Sequence, residues 1–489
     1  MTMSLSRAPF YCAFVGAGSA GIGPLVQAAC QGRLRSLLSG GIALIDTGRD
    51  AWGAGKIGGY MIPANSLAED FISFVPRAGD LGPHSNGGDL GVFAELREHD
   101  AYRALADIAE RGEKCSLAQA GAFSHEIGSL LAARVAATPG CMLLPSTSVK
   151  QLRIEHASLS SLVVDIGDSA ASDGVAASLE AQKVVLATGG YQVTPDYGDA
   201  HNAKMLTADL AQQAAGLDDI AARVEANVAA GGRPSVAIIG GSHSAFSTAQ
   251  LLVGHLGPRV PGFHVDICHK RAVRAFYETT DEADAAGYTA WGPGDVCELT
   301  GRVNRFSGIR PPARDFFEAI AGGDEPRAAL VPIELAPGAS RLRRRAAGAF
   351  AAALDDAAAI VGATGYTTNL PAVSAAIGTG AARRYYPLDW CYATDGQVLV
   401  STTSGQVAVE HPAQPHNPTP VNTLFVQNTF STSSGAAFAQ LQGPPVRPGS
   451  SFLRRALQNS MTGSWRASLG SAWGTASWTA APAACGRTG

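Results

Sequence analysis

The sequence predicts an α/β fold of two Rossmann-like dinucleotide-binding domains, the second inserted in the first, and three observations carry that expectation. FVGAGSAG at residues 14–21 and AIIGGSHSA at residues 237–245 each follow an apolar strand-like run and open an alanine-rich helical stretch. Each glycine turn is answered further on by an Ala-Thr-Gly segment, LATGGY at 186–191 and GATGYT at 362–367. A late apolar strand at 423–426 follows the second repeat and reads as a return to the first.

The first turn ends a short strand at 13–15. Gly16-x-Gly18-x-x-Gly21 supplies a tight turn, a side-chain-free approach for a pyrophosphate and close helix-to-strand packing, with Ser19 between the last two glycines. A helix expected over 20–31 would present its unpaired N–H groups and positive dipole end to the phosphates, and Pro24 falls early enough to be tolerated. A second strand, residues 42–45, ends at Asp46, whose carboxylate suits ribose hydroxyls and repels a 2′-phosphate. FAD or NAD fits this turn better than NADP.

The second turn keeps its first glycine in Gly240-Gly241-Ser242-His243-Ser244-Ala245 but has Ser242 where the second would stand. Backbone N–H groups still face a phosphate there, and His243 either contacts it or packs at the helix start. The next strand, expected over 264–267, is followed by Cys268-His269-Lys270-Arg271, with Arg274 close behind. Cations at the ribose end favour a 2′-phosphate, so this turn reads as an NADPH site, with a solvated basic loop as the alternative.

A chain of 489 residues suggests two or three domains. The boundaries expected are 1–200 for the first part of the FAD domain, 201–380 for the NADPH domain, 381–445 for the second part of the FAD domain, and 446–489 for a Ser/Ala/Gly-rich, poorly ordered tail. The first part holds a polar insertion around 53–100, a helical stretch near 124–137 and a strand-rich portion over 142–186. Alternating strands and helices predict parallel sheets with right-handed crossovers in both modules.

Net charge of −4 argues against a nucleic-acid surface. Eight cysteines form no C-x-x-C pair and no zinc-like spacing, which disfavours a disulfide reductase or a metal site and suits reduced, mostly buried thiols of a cytoplasmic protein. No secretory signal is expected before the first strand, and the uncharged run over 234–258 is explained by strand, turn and helix rather than a membrane span. Self-association into a homo-oligomer stays open.

The order of FVGAGSAG, an acid-ended strand, LATGGY, AIIGGSHSA, a basic strand end, GATGYT and LFVQNTFSTSSG resembles the flavin-dependent monooxygenases of the N-hydroxylating type, over residues 10–440. The turns and ATG segments are shared with two-dinucleotide flavoproteins at large, while GATGYT and LFVQN tilt toward the N-hydroxylating branch. The chain departs from the pattern at Ser434-Gly435, where a His-Gly is usual, and in WGAGKIGGYMIPANSLAED at 52–70. The resemblance implies FAD and NADPH as cofactors, oxygen and a small amine as substrates, and oxygen transfer to an unprotonated amine nitrogen through a flavin hydroperoxide. Most of that chemistry belongs to the cofactor, and no catalytic side chain is assigned. Within enzymes the alternative is an NADPH-dependent reductase or oxidase; outside them, a non-catalytic flavoprotein.

Besides the glycine turns and Asp46, the candidate site residues are Lys56, Asn65 and Ser66 in the insertion, read as reaching the flavin or substrate or as a polar surface loop. Thr188, Gly189, Thr364 and Gly365 are expected to shape strand ends where the chain crosses between modules. Asn428 and Ser431 follow the late strand, either facing the flavin or forming a turn.

Overall fold

The structure is a computed structural model and describes residues 3–4, 8–76, 88–155, 162–170, 174–305, 307–335, 346–377, 384–392, 398–401 and 424–426. Asn428 and Ser431, the Ser434-Gly435 turn and the segment 446–489 lie outside the described residues.

The first glycine turn rises from a sheet of five strands among the described residues, ordered Leu424–Val426, Val184–Leu186, Cys12–Val15, Ile42–Ile45 and Met142–Leu144, every neighbouring pair parallel. Its central strands CAFV, IALI and VVL are buried along their whole length, as expected where both faces are covered. Side chains alternate between faces. Phe14, Leu44 and Val185 pack with the helices Ser19–Cys30 and Leu117–Ala137. Val15, Ile45, Val184 and Leu186 face the other way and share a core with Leu152, Val164 and Leu179.

That second layer is a mixed seven-stranded sheet among the described residues, ordered Met3–Ser4, Ala177–Ala181, Leu162–Asp168, Thr147–Ile154, Ala372–Ile377, Arg384–Tyr392 and Val398–Ser401. Ala372–Ile377 runs parallel to Thr147–Ile154, so segments more than two hundred residues apart in sequence are sheet neighbours.

The second glycine turn belongs to another parallel sheet, of five strands among the described residues, ordered Met205–Thr207, Ala359–Gly362, Ser235–Ile239, His264–His269 and Ala328–Pro332. One face, with Ile238, Ile267 and Val361, packs on the helix His243–Leu256, whose Phe246 meets Phe317 edge-on at 5.4 Å. The other, with Ile239, Cys268 and Ile360, is covered by Phe350 and Leu354 of the helix Gly348–Asp356.

Parallel pairing around both glycine turns follows the expected pattern, but three local boundaries move. The strand after the second turn continues to His269, because Cys268 and His269 pair with Val331 and Pro332; only Lys270 and Arg271 follow it. The helix expected near 124–137 begins at Leu117, where Ser116 and Gln119 form a reciprocal capping box. The polar insertion contains the strand Pro63–Leu67, antiparallel to Lys114–Ser116, and the helices Ala68–Ile72 and Val92–Glu98. Among the described residues no helix is long and apolar enough to cross a membrane.

Candidate functional site: two glycine turns and the ribbon between them

At the first turn each glycine meets a different constraint. Gly16 has φ +89°, and a Cβ there would lie 2.3 Å from the Ala187 carbonyl oxygen. A Cβ on Gly21 would lie 1.7 Å from the Gly16 oxygen, so these two glycines let the helix, its turn and the neighbouring strand close on one another. Gly18 is different: it is the residue before the helix, φ −67° and ψ −174°, and a Cβ there would meet only Gly55, at ordinary contact distances of 3.6 Å and 3.9 Å. Backbone strain therefore does not demand a glycine at this position; open approach to the helix N-terminus is what its missing side chain provides.

The helix start has no side-chain cap and no acidic residue in its first turn. Its first N–H groups remain available to an anion. Ser19 does not cap; its hydroxyl donates to the Gly53 carbonyl at 2.7 Å. Asp46 closes the turn from the neighbouring strand, its carboxylate accepting from Ala17 N–H at 2.6 Å and Gly48 N–H at 2.7 Å. Burial raises the Asp46 pKa, and the two backbone N–H groups oppose the shift. The loop from the insertion lies against the same turn: Gly53 N–H donates to Ala17 O at 2.7 Å, and Gly18 bridges Gly53.

The second turn keeps this strand–turn–helix plan with Ser242 and Ala245 in place of its second and third glycines. A Cβ on Gly240 would lie 2.3 Å from Ala363 O, and one on Gly241 2.9 Å from His269 Cβ. Ser242 precedes the helix, yet its hydroxyl makes no capping bond, so this helix start also lacks both a side-chain cap and a first-turn acid. His243 is the first helical residue, and its pKa falls to about 4 through burial and the nearby charges of Arg310 and Lys114. Its ring is neutral at ordinary pH. The Ser244 carbonyl accepts from Gln212 Nε2 at 3.2 Å and Thr248 Oγ1 at 2.7 Å. Lys270 and Arg271 are exposed beyond the strand, whereas Arg274 turns to Ser307, 3.2 Å away, and to Asp295.

The two ATG segments meet. Gly190–Gln192 pairs antiparallel with Tyr366–Thr368, Gln192 opposite Tyr366. Gly189 and Gly365 enter this ribbon with φ +68° and +100°, conformations that glycine adopts without strain. Thr364 Oγ1 donates to Val193 O at 2.9 Å, and Thr188 Oγ1 donates to Asn369 O. All four predicted strand-end residues thus lie at one crossing between the two sheets.

Lys56 also reaches this crossing. Its Nζ is 2.8 Å from Asp209 Oδ2 and 3.4 Å from Gly190 O. Asp209 Oδ1 accepts the hydroxyls of Tyr60, at 2.7 Å, and Tyr366. Both tyrosine pKa values are raised, first by burial, with the Asp209 carboxylate adding to the effect. Asn65, in contrast, is exposed on the strand Pro63–Leu67, beside half-buried Ser66.

Asp209, Tyr60, Tyr366, Gln192 and the cations near His243 are absent from the sequence-based candidates. Lys114 donates to Pro311 O at 2.7 Å, and the Arg310 guanidinium lies 3.9 Å over the Phe276 ring. These groups come from separated segments that no local spacing links. The tyrosine ending each segment's Gly-Tyr pair was the nearest available signal, and it holds only for Tyr366, since Tyr191 is exposed.

No protein-family model matches the chain. The CMP-5′-(3-aminopropyl)phosphonate hydroxylase of Streptomyces rubellomurinus is 30% identical over 379 residues, 74% of this chain and 79% of that protein. A cadaverine monooxygenase of the desferrioxamine biosynthetic pathway from Erwinia amylovora, solved bound to FAD, is similar in fold at TM-score 0.50 and 12% identity, covering 92% of this chain and 95% of that one. The ornithine N-hydroxylase of Kutzneria sp. 744 aligns at TM-score 0.48 and 14% identity over 94% of this chain and all 100% of that one.

Proposed function

The chain belongs to the flavin-dependent N-hydroxylating monooxygenases, and from that premise we propose that it hydroxylates the amine nitrogen of a small metabolite with FAD at the first glycine turn and NADPH at the second. The observation that carries the assignment is a pair of uncapped helix starts behind glycine turns, joined by the ribbon of the two ATG segments. The residues present fit both nucleotides. Gly18 and the first-turn N–H groups of Ser19–Cys30 would take the FAD pyrophosphate, and Asp46 its ribose. The N–H groups behind Ser242, with neutral His243, would take the NADPH pyrophosphate, and Lys270 and Arg271 the 2′-phosphate.

Bound flavin supplies the redox chemistry, receiving hydride from NADPH and activating oxygen. The chain's part is to hold the two nucleotides in fixed relation, exclude water and admit the amine as its free base. In this reading the NADPH module is inserted between two parts of the flavin module, and the return to the flavin module falls before the expected boundary at 380, because the strand Ala372–Ile377 already pairs with Thr147–Ile154 in the layer behind the first sheet. The relative's name points to an amine carried on a phosphonate and a nucleotide. An aminoalkyl phosphonate, free or nucleotide-linked, is therefore the first substrate class to test, ahead of ornithine, lysine and cadaverine.

Purified protein loaded with FAD should oxidise NADPH faster when the right amine is present and yield that amine with one added oxygen by mass spectrometry. Equal NADPH oxidation with and without every amine, with all oxygen recovered as hydrogen peroxide, would sink the hydroxylase assignment.

A further inference from the structure

We infer that Asp209 is a positioning residue that sets the relation between the two nucleotide sites, an inference resting on the two-site reading above. Asp209 is buried in the short helix Ala208–Ala211, immediately after the edge strand Met205–Thr207 of the second sheet. Its carboxylate gathers Lys56, Tyr60 and Tyr366, and its own N–H donates to Gln192 Oε1 at 2.8 Å. One buried acid thereby holds the loop behind the first glycine turn and both ATG segments.

The connection continues in both directions. Toward the first turn, Lys56 follows Gly55, which packs on Gly18, while Gly53 and Ser19 bond across the same turn. Toward the second, Gln212 ends the Asp209 helix and donates from Nε2 to Ser244 O and to Thr248 Oγ1 at 2.9 Å, inside the helix that the second turn opens. The Gln212 carbonyl in turn accepts Met61 N–H at 2.8 Å. Contacts at Gly18, the bonds gathered by Asp209 and those of Gln212, joined by short stretches of backbone, thus lead from Gly18 to Ser244 with Asp209 at the centre.

An acid with this many donors is chemically committed. A buried carboxylate persists only where donors saturate it, and removing it deprives two buried or half-buried tyrosine hydroxyls of their shared acceptor, while Lys56, with its side chain 54% exposed, turns to water. Hydride transfer depends steeply on donor–acceptor placement, and a displacement of about 1 Å can cost about 100-fold. Loosening Asp209 should therefore slow transfer between the nucleotides without weakening either binding site, because Asp209 touches neither glycine turn directly.

The test compares full-length wild type, Asp209→Asn and Asp209→Ala by hydrogen exchange of the flavin-free protein, by FAD and NADP⁺ affinities, and by the rate at which NADPH bleaches bound flavin. Asp209→Ala should raise exchange at 53–60, 190–192 and 366–368 and slow bleaching by about 100-fold, with both affinities within about threefold of wild type. Asp209→Asn keeps an oxygen for the tyrosines but loses the charge facing Lys56, so it should fall between the two, and adding Lys56→Met should slow it little further. If the alanine variant fails to fold, the conservative pair Tyr60→Phe and Tyr366→Phe takes its place, with a smaller loss in the same direction. Wild-type exchange and bleaching rates, or a loss traceable to nucleotide affinity, would overturn the proposal. If wild-type protein neither binds FAD nor oxidises NADPH, the two-site reading fails, while the exchange measurement still decides whether Asp209 fixes the ribbon.

Discussion

Single glycines at the first turn separate folding from binding. Gly21 has no room for a methyl group, because its Cβ would stand 1.7 Å from Gly16 O. Gly18 has ordinary φ and ψ and space for one. Gly21→Ala should destabilise the first module by about 3 kcal/mol, the upper range for forcing volume into a packed site. Gly18→Ala should leave the melting temperature of the FAD-free protein unchanged but weaken FAD binding about tenfold, close to 1.4 kcal/mol, by covering the helix N-terminus. Thermal melts without FAD and a flavin titration check both variants; equal effects on both readouts would mean that Gly18 serves packing rather than phosphate approach. The side chain of Asp46 acts at the same scale. It accepts two backbone N–H groups of its own chain, so it shapes the turn whatever its part in the proposed binding of a ribose.

At the scale of elements, the proposed scheme sets the residues that follow the strand His264–His269 at the adenosine end of the second site. Lys270 and Arg271 leave the sheet exposed, while Arg274 is occupied by Asp295 and Ser307. Replacing Lys270 and Arg271 by serine should lower the preference for NADPH over NADH by about 10- to 100-fold, the net worth of about one charge-assisted bond of roughly 1.5–3 kcal/mol. Steady-state kinetics with both cofactors checks this, and an unchanged ratio would move the 2′-phosphate elsewhere. Elements of this kind were legible because their signals are local. The run Ile42–Ile45 and its terminal acid, the glycines and the apolar runs around them stand within about thirty residues of one another. The seven-stranded sheet was legible only as a strand-rich stretch, since Thr147–Ile154 finds its parallel neighbour at Ala372–Ile377 and strand pairing across such distance leaves no spacing to read. Lys56 stood out as a polar loop residue, but Asp209, its partner 153 positions on, lies in ADLA, a segment with no motif at all.

Among the described residues of the whole molecule, the buried cores fall into two sets that divide along the two glycine-turn sheets. One set packs both faces of the sheet around Cys12–Val15, and the other packs both faces of the sheet around Ser235–Ile239. Each nucleotide in the proposed scheme binds at the edge of a different core, so each should stabilise a different unfolding unit. A ligand that binds only the folded form at 100 times its Kd adds about 2.7 kcal/mol. For a unit of 150–250 residues, 1 kcal/mol corresponds to about 2–4 °C, so saturation should move one transition by about 5–10 °C. Calorimetry of the cofactor-free protein should resolve two transitions, with FAD raising one and NADP⁺ the other. The Asp209 network bears on the same measurement, because the bonds of Lys56 and Tyr60 to Asp209 are among those that join the two cores. In Asp209→Ala the two transitions should separate further, each still answering to its own nucleotide. A single transition moved equally by either nucleotide would mean that the two sheets unfold as one body and that the sites are not thermodynamically distinct.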